Sequence, residues 1–152
     1  CHMLGCNIEI KSMNHTIQSP YLFVYGTLMS GMHNPYAQTM SQSATCKGKA
    51  CTHGLLYDYH GEYPCAVASI QKKDTILGEL YELHHPARVL TELDTYEDCD
   101  PTEPGKSLFV RCVIPAKENE TGQIIHAWMY FWNQPVHQMH LITNGDYRNQ
   151  SR

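Results

Sequence analysis

The chain has 152 residues, 42% of them apolar and 17% charged, with a net charge of −4. That length buries a real core and makes one domain the default, and the composition excludes a disordered chain or a coiled coil. The negative balance, with no Lys/Arg cluster, excludes the electrostatic footprint of a nucleic-acid or anionic-membrane binder, so neither is expected as a partner. The longest apolar runs fall far short of the roughly 18–20 residues that a spanning helix needs.

Residues 1–19 are polar and poorly patterned, an N-terminal extension or expression remnant without the basic-then-apolar layout of a secretory signal. Seven cysteines is an odd number, and no two of them form a CxxC pair. Cys46, Cys51, Cys65, Cys99 and Cys112 therefore read as reduced thiols, and the chain as cytoplasmic. Tyr21–Tyr25 reads as a buried strand from its aromatic and β-branched content. It breaks abruptly at Gly26-Thr27-Leu28, with a second glycine at Gly31. Glycines there let backbone N–H groups turn toward one point and hold an anion, although the same loop also reads as a tight strand-to-helix turn. It has neither the GxGxxG of a dinucleotide site nor the lysine of a P-loop.

Asn34 and Pro35 open a short helix to Met40 as N-cap and first helical residue. Strand-like runs follow at about Cys46–Thr52, Leu55–Tyr59, Ala66–Ile70 and Thr75–Leu83, punctuated by Gly54, by Gly61-Glu62-Tyr63-Pro64 and by Lys72-Lys73-Asp74. A helix spans about Pro86–Tyr96. After the polar loop Glu97–Lys106, the strands Ser107–Pro115 and Ile124–Trp132 form a hairpin through KENETGQ. Pro135 ends regular structure and 134–152 is a polar tail, leaving 20–133 as the domain. Many short strands with two helices point to an α+β fold on a strongly curved sheet or small barrel.

Within the second helix, Leu90, Leu93 and Glu97 fall within about 60° of one another on one face. A carboxyl on the core side at a helix end is disfavoured as an anion by burial and by the helix dipole, which suits a proton shuttle near neutrality. Spacing alone leaves open a Glu97 that swings into solvent. Glu79 reads as a structural partner for Arg111 or for a backbone amide, or as a second pocket carboxylate. Asp94 reads as a rim residue, and Tyr130 shares a strand face with Trp128 and Trp132. The ten histidines supply no three-ligand pattern, so no metal is expected. Cys99, among acidic neighbours, makes a poor nucleophile.

The segments FVYGTLMSG (23–31), GEYPCAV (61–67), GELYEL (78–83), LDTYED (93–98), FVRCVI (109–114) and AWMYFW (127–132) stand in the order seen in γ-glutamylcyclotransferase-like proteins. The chain resembles that family over about residues 20–133. The resemblance implies a small mixed-strand barrel flanked by short helices. It implies a pocket floored by Tyr25, Gly26, Thr27 and Leu28, with Tyr130 nearby and Glu97 as the acid–base residue. The reaction it implies needs no cofactor: the α-amine of a γ-glutamyl amine attacks its own side-chain carbonyl, giving 5-oxoproline and the free amine. A pocket that binds such a molecule without turning it over is the alternative, and a related amide-forming or amide-cleaving lyase is a third reading.

Two departures bear on the site. Phe109 stands where the family often has a tyrosine, two residues before Arg111, which removes a hydroxyl from the expected pocket wall. Asp98 and Asp100 follow Glu97 closely and are expected to raise its pKa and to disfavour an anionic leaving group. The residues do not fix the oligomeric state.

Overall fold

The computed structural model describes residues 19–26 and 34–148. Strands β1 (Tyr21–Val24), β2 (Ala44–His53), β5 (Thr75–Leu83), β6 (Phe109–Glu118) and β7 (Ile124–Trp132) close a barrel in the order β1-β5-β2-β6-β7. Its closure is mixed. β1 runs antiparallel to β5 and parallel to β7, with Leu22 opposite Trp128, while the other pairs are antiparallel. A separate sheet takes the order β4-β3-β8, from β3 (Leu55–Tyr59), β4 (Tyr63–Val67) and β8 (His140–Leu141). Helices α1 (Pro35–Ser43) and α2 (Pro86–Tyr96) complete the expected α+β architecture. Neither is long and apolar enough to cross a membrane.

Strand alternation divides the core in two. Along β1 and β7, Leu22, Val24, Trp128, Tyr130 and Trp132 point to one cluster, while Phe23, Met129 and Phe131 point to the other. The first cluster takes in Met40 of α1 and Val89, Leu90 and Leu93 of α2, so it is the face that the helices cover. Leu93 is fully buried there, and a leucine so placed stabilises the fold by about 1.5–3 kcal/mol. α1 begins as the sequence indicates, with the Asn34 side chain accepting a hydrogen bond from the Ala37 N–H at 2.8 Å.

Three expectations are corrected. β4 covers Tyr63–Val67 rather than Ala66–Ile70, because the β3–β4 reversal is complete by Glu62. His60 (φ 52°) and Gly61 (φ 81°) make the turn, and the Asp58 carboxylate accepts the Gly61 N–H at 3.1 Å. Pro64 then lies in an edge strand, where a missing donor is tolerated. Regular structure also continues past Pro135: His140 and Leu141 pair with β3, and Ile142 is buried behind them. Gly145 (φ 67°) packs so closely on the backbone of Thr75 that no side chain fits. Finally, Cys46, Cys51, Cys65 and Cys99 are free thiols as expected, whereas Cys112 is disulfide-bonded.

Candidate active site

A cavity of about 280 Å³ opens where the end of β1, the end of α2, the start of β6 and the β3–β4 hairpin converge. Of the residues singled out in the sequence, Tyr25, Gly26, Glu97 and Tyr130 all line it. Thr27 and Leu28 lie outside the described residues.

Glu97 is placed by the way α2 ends. Its N–H still bonds the Leu93 carbonyl at 2.8 Å, so it completes the last turn at φ −86° and ψ 2°. Asp98 then adopts φ 52°, the left-handed position usually given to glycine. The N–H groups of Asp98 and Cys99 reach back to the carbonyls of Thr95 and Asp94, at 3.3 and 2.8 Å. This pair of bonds is a Schellman cap, and it turns the following chain away while Glu97 stays on the cavity side. Between the two readings left open by the spacing, the structure selects the inward one.

The Glu97 carboxyl is pushed up from 4.5 to about 8, first by burial and then by the charge of Asp94. The residue keeps some exposure through the cavity mouth, but the carboxyl itself is enclosed by protein, which removes the water an anion needs. The neighbouring charge is therefore Asp94, not Asp98 or Asp100 as expected. Asp98 and Asp100 are exposed, and the Asp100 carboxylate accepts the Thr102 N–H and hydroxyl at 2.9 and 2.7 Å.

Asp94 is not at a rim. It is 8% exposed and accepts three hydrogen bonds: Arg111 Nε at 2.8 Å, Arg111 Nη2 at 3.1 Å and the Tyr130 hydroxyl at 2.6 Å. The guanidinium also lies over the Trp128 ring, 4.3 Å from its centre. Arg111 thus takes Asp94 as its partner rather than Glu79. Glu79 meets the Tyr81 hydroxyl at 3.1 Å and Arg148 at 3.6 Å, away from the cavity that holds Glu97. Tyr130 anchors Asp94 with its hydroxyl while its backbone carbonyl accepts the Tyr25 hydroxyl at 2.5 Å, which ties β1 to β7 beneath the cavity.

Gly26 is needed for a reason that the spacing did not reveal. A Cβ there would come within 2.4 Å of Pro64 Cγ, so the proline of β4 occupies the space a side chain would take. Sequence reasoning also missed Glu62, Tyr63, Pro64 and Tyr96 as lining residues. GEYP was read as turn punctuation, and only the β3–β4 pairing shows that it faces the cavity. Phe109 lies on the cavity wall, edge-on to Trp132 with ring centres 5.3 Å apart, and supplies no hydroxyl. Two cysteines near the site are held protonated. Cys65 is raised to about 12 by burial and then by Glu97, and Cys99 to about 12 by burial and then by Asp94. Neither is a thiolate nucleophile near neutral pH.

An enclosed carboxyl on an aromatic wall, at the end of a mixed five-stranded barrel, defines a small-molecule pocket equipped for proton transfer. Residues 22–149 match the family described as γ-glutamyl cyclotransferase, AIG2-like, and the chain belongs to that family. It is 30% identical over 124 residues to γ-L-glutamyl-butirosin B γ-glutamyl cyclotransferase of Niallia circulans, covering 82% of this chain and 74% of that one. Among solved structures, YkqA of Bacillus subtilis matches with a TM-score of 0.63 and 25% identity over 86% of this chain. The match spans only 40% of YkqA. An AIG2-like protein of Mus musculus matches with a TM-score of 0.66 and 24% identity, covering 84% of this chain and 87% of that one. This last likeness speaks to the fold alone.

Proposed function

We propose that this chain converts γ-glutamyl amines to 5-oxoproline and the free amine, with Glu97 as general acid and base. The observation that carries this reading is the Glu97 carboxyl, raised to about 8 inside the cavity. A carboxyl of that pKa is mostly protonated at pH 7. The α-ammonium of an arriving substrate supplies a positive charge that favours the carboxylate, so Glu97 is able to accept one of its protons.

The freed amine attacks the side-chain carbonyl within the same molecule, so proximity is supplied by folding the substrate rather than by collecting two reactants. The new C–N bond closes a five-membered lactam, and the bond to the departing nitrogen breaks. Protons lost from the α-nitrogen pass through Glu97 to the departing nitrogen, which leaves as an amine. Tyr25 and Tyr130 bound the substrate's glutamyl portion, and the backbone N–H groups of Gly26, Thr27 and Leu28 hold its carboxylate or the oxyanion formed during attack. Asp94, held in place by Arg111, is the neighbouring charge that adds to burial in raising the Glu97 pKa.

The test is 5-oxoproline release from a panel of γ-glutamyl amines and dipeptides, by the wild type and by Glu97→Gln. Release by the wild type alone supports the reading. Binding of panel members without release by either protein favours a binder that kept the pocket, and neither binding nor release sinks both readings.

A further inference from the structure

We infer that Tyr147 is a positioning residue for the cavity: its ring, at the end of the C-terminal segment 140–148, braces the β3–β4 hairpin against the barrel and so keeps Tyr63 and Pro64 at the cavity wall. The kinetic consequence rests on the cyclotransferase reading; the brace itself does not.

The hairpin calls for such support because it belongs to a sheet of its own. β3 and β4 share a sheet with β8 and not with the barrel strands, yet the turn between them brings Glu62, Tyr63 and Pro64 to the cavity. Residues 140–148 run from one sheet to the other. His140 and Leu141 pair with Asp58 and Tyr57 of β3, and the Ile142 N–H bonds the Leu56 carbonyl at 2.8 Å. Three residues on, the Gly145 carbonyl accepts the Leu77 N–H of β5 at 2.8 Å, with the glycine seated on the Thr75 backbone. A segment bonded to β3 at one end and to β5 at the other sets the spacing between hairpin and barrel.

Beyond Gly145 the segment is held by its own side chains. Those of Asn144 and Asp146 accept the N–H groups of Asp146 and Arg148 at 3.1 and 3.2 Å. Arg148 in turn reaches the buried Glu79 of β5 at 3.6 Å. Between these fastenings Tyr147 is half-buried and packs against both core clusters, and its hydroxyl lies 3.5 Å from the Glu62 carbonyl in the β3–β4 turn. A contact of that length adds little by itself, so the ring carries the support. Tyr147 is not one of the residues that line the cavity, and it acts there through the hairpin. Tyr63, next to Glu62, meets the rings of Phe109 and Trp132 at 6.1 and 6.3 Å between centres, so a turn that shifts disturbs the aromatic wall of the cavity.

The experiment measures turnover of γ-glutamyl butylamide by the wild type, Tyr147→Ala, Tyr147→Phe and Ile125→Ala. Ile125 is half-buried like Tyr147 but pairs with Ala116, at the end of the β6–β7 hairpin remote from Phe109 and Tyr130. Tyr147→Ala should raise KM by roughly threefold to tenfold, the range for side chains that modulate a site without touching its ligand. kcat and its pH profile should stay as they are, because binding is weakened and the proton carrier is not altered. Tyr147→Phe should restore the wild-type KM, and Ile125→Ala should leave it unchanged. Amide hydrogen exchange followed by NMR should show β3 and β4 losing more protection than β6 and β7 in Tyr147→Ala, and the reverse in Ile125→Ala. A KM that does not move in Tyr147→Ala, one that rises as much in Ile125→Ala, or one that phenylalanine fails to restore overturns the inference. Should the alanine variant not fold, Tyr147→Leu takes its place under the same criteria. Wild-type turnover separates these outcomes from failure of the cyclotransferase reading. If the wild type turns nothing over, hydrogen exchange decides alone: equal loss across the four strands, or none, overturns the inference.

Discussion

Asp94 and Glu97 stand three residues apart at the end of α2, and among the described residues only Asp94 is paired with a cation: Arg111 grips it through two hydrogen bonds of 2.8 and 3.1 Å. Arg111 thus pairs with the carboxylate that serves structure, and the cavity carboxyl is left with burial and the charge of Asp94 acting on it. Both of those effects favour the protonated form. Two acids on one helix turn are in this way given different surroundings: Asp94 a paired guanidinium, Glu97 an enclosed cavity.

Replacing Glu97 with Gln removes the proton carrier and keeps the shape. Turnover should fall by about 10²–10⁴-fold, the range for loss of general acid–base catalysis, while binding of a γ-glutamyl amide changes little. Steady-state kinetics and calorimetry on the two proteins check this, and a variant as active as the wild type contradicts the mechanism.

The same substitution should alter the pH dependence of stability. In the unfolded chain Glu97 ionises near 4.5, and in the fold near 8. Below about 4.5 both states are protonated and there is no penalty. Between the two values the unfolded state binds fewer protons, so wild-type stability declines as pH rises, and above about 8 the full cost is present. The advantage of Glu97→Gln should therefore grow from pH 4 to pH 9 by up to ~5 kcal/mol. Urea unfolding of both proteins across that range gives the difference, and a constant gap contradicts the burial of the carboxyl.

Asp94→Asn leaves the Arg111 guanidinium, only 16% exposed, without its anion. Breaking a buried pair from one side costs roughly 3–5 kcal/mol. Because Asp94 also raises Glu97, the acidic limb of kcat/KM should move to lower pH in the same variant. A stability loss with an unmoved limb limits Asp94 to holding the fold.

Gly26→Ala places a Cβ against the Pro64 ring and should cost about 1–3 kcal/mol and weaken substrate binding. Pro64→Ala removes the atoms it meets, so the double variant should recover much of that loss. Additive effects in the double-mutant cycle would show that the contact with Pro64 is not what requires glycine at 26.

Much of this was legible in the sequence where periodicity was long. α2 has the bounds that its leucine spacing indicates, and the shared face of Trp128, Tyr130 and Trp132 follows from alternation along β7. Tyr25, Gly26, Glu97 and Tyr130, named from the family resemblance, meet in one cavity. The misses have physical causes. Pro64 reads as a breaker, yet an edge strand has no partner on one side to need its N–H, so β4 begins earlier than expected. β8 is two residues long, too short for any alternation to register. The Asp94–Arg111 pair joins a helix to a strand 17 residues on, and no local pattern encodes such a contact. The direction of Glu97 depended on a Schellman cap whose left-handed residue is Asp98, so the glycine that usually announces it was missing.

The measurement that tests the central claim most directly is titration of the Glu97 side-chain carboxyl by carbon NMR, assigned by the loss of its signal in Glu97→Gln. The account expects a midpoint of about 8 in the free protein, moving down when a γ-glutamyl amine binds. A midpoint near 4.5 would mean that the carboxyl is solvated, and it would remove both the enclosed proton carrier and the function built on it.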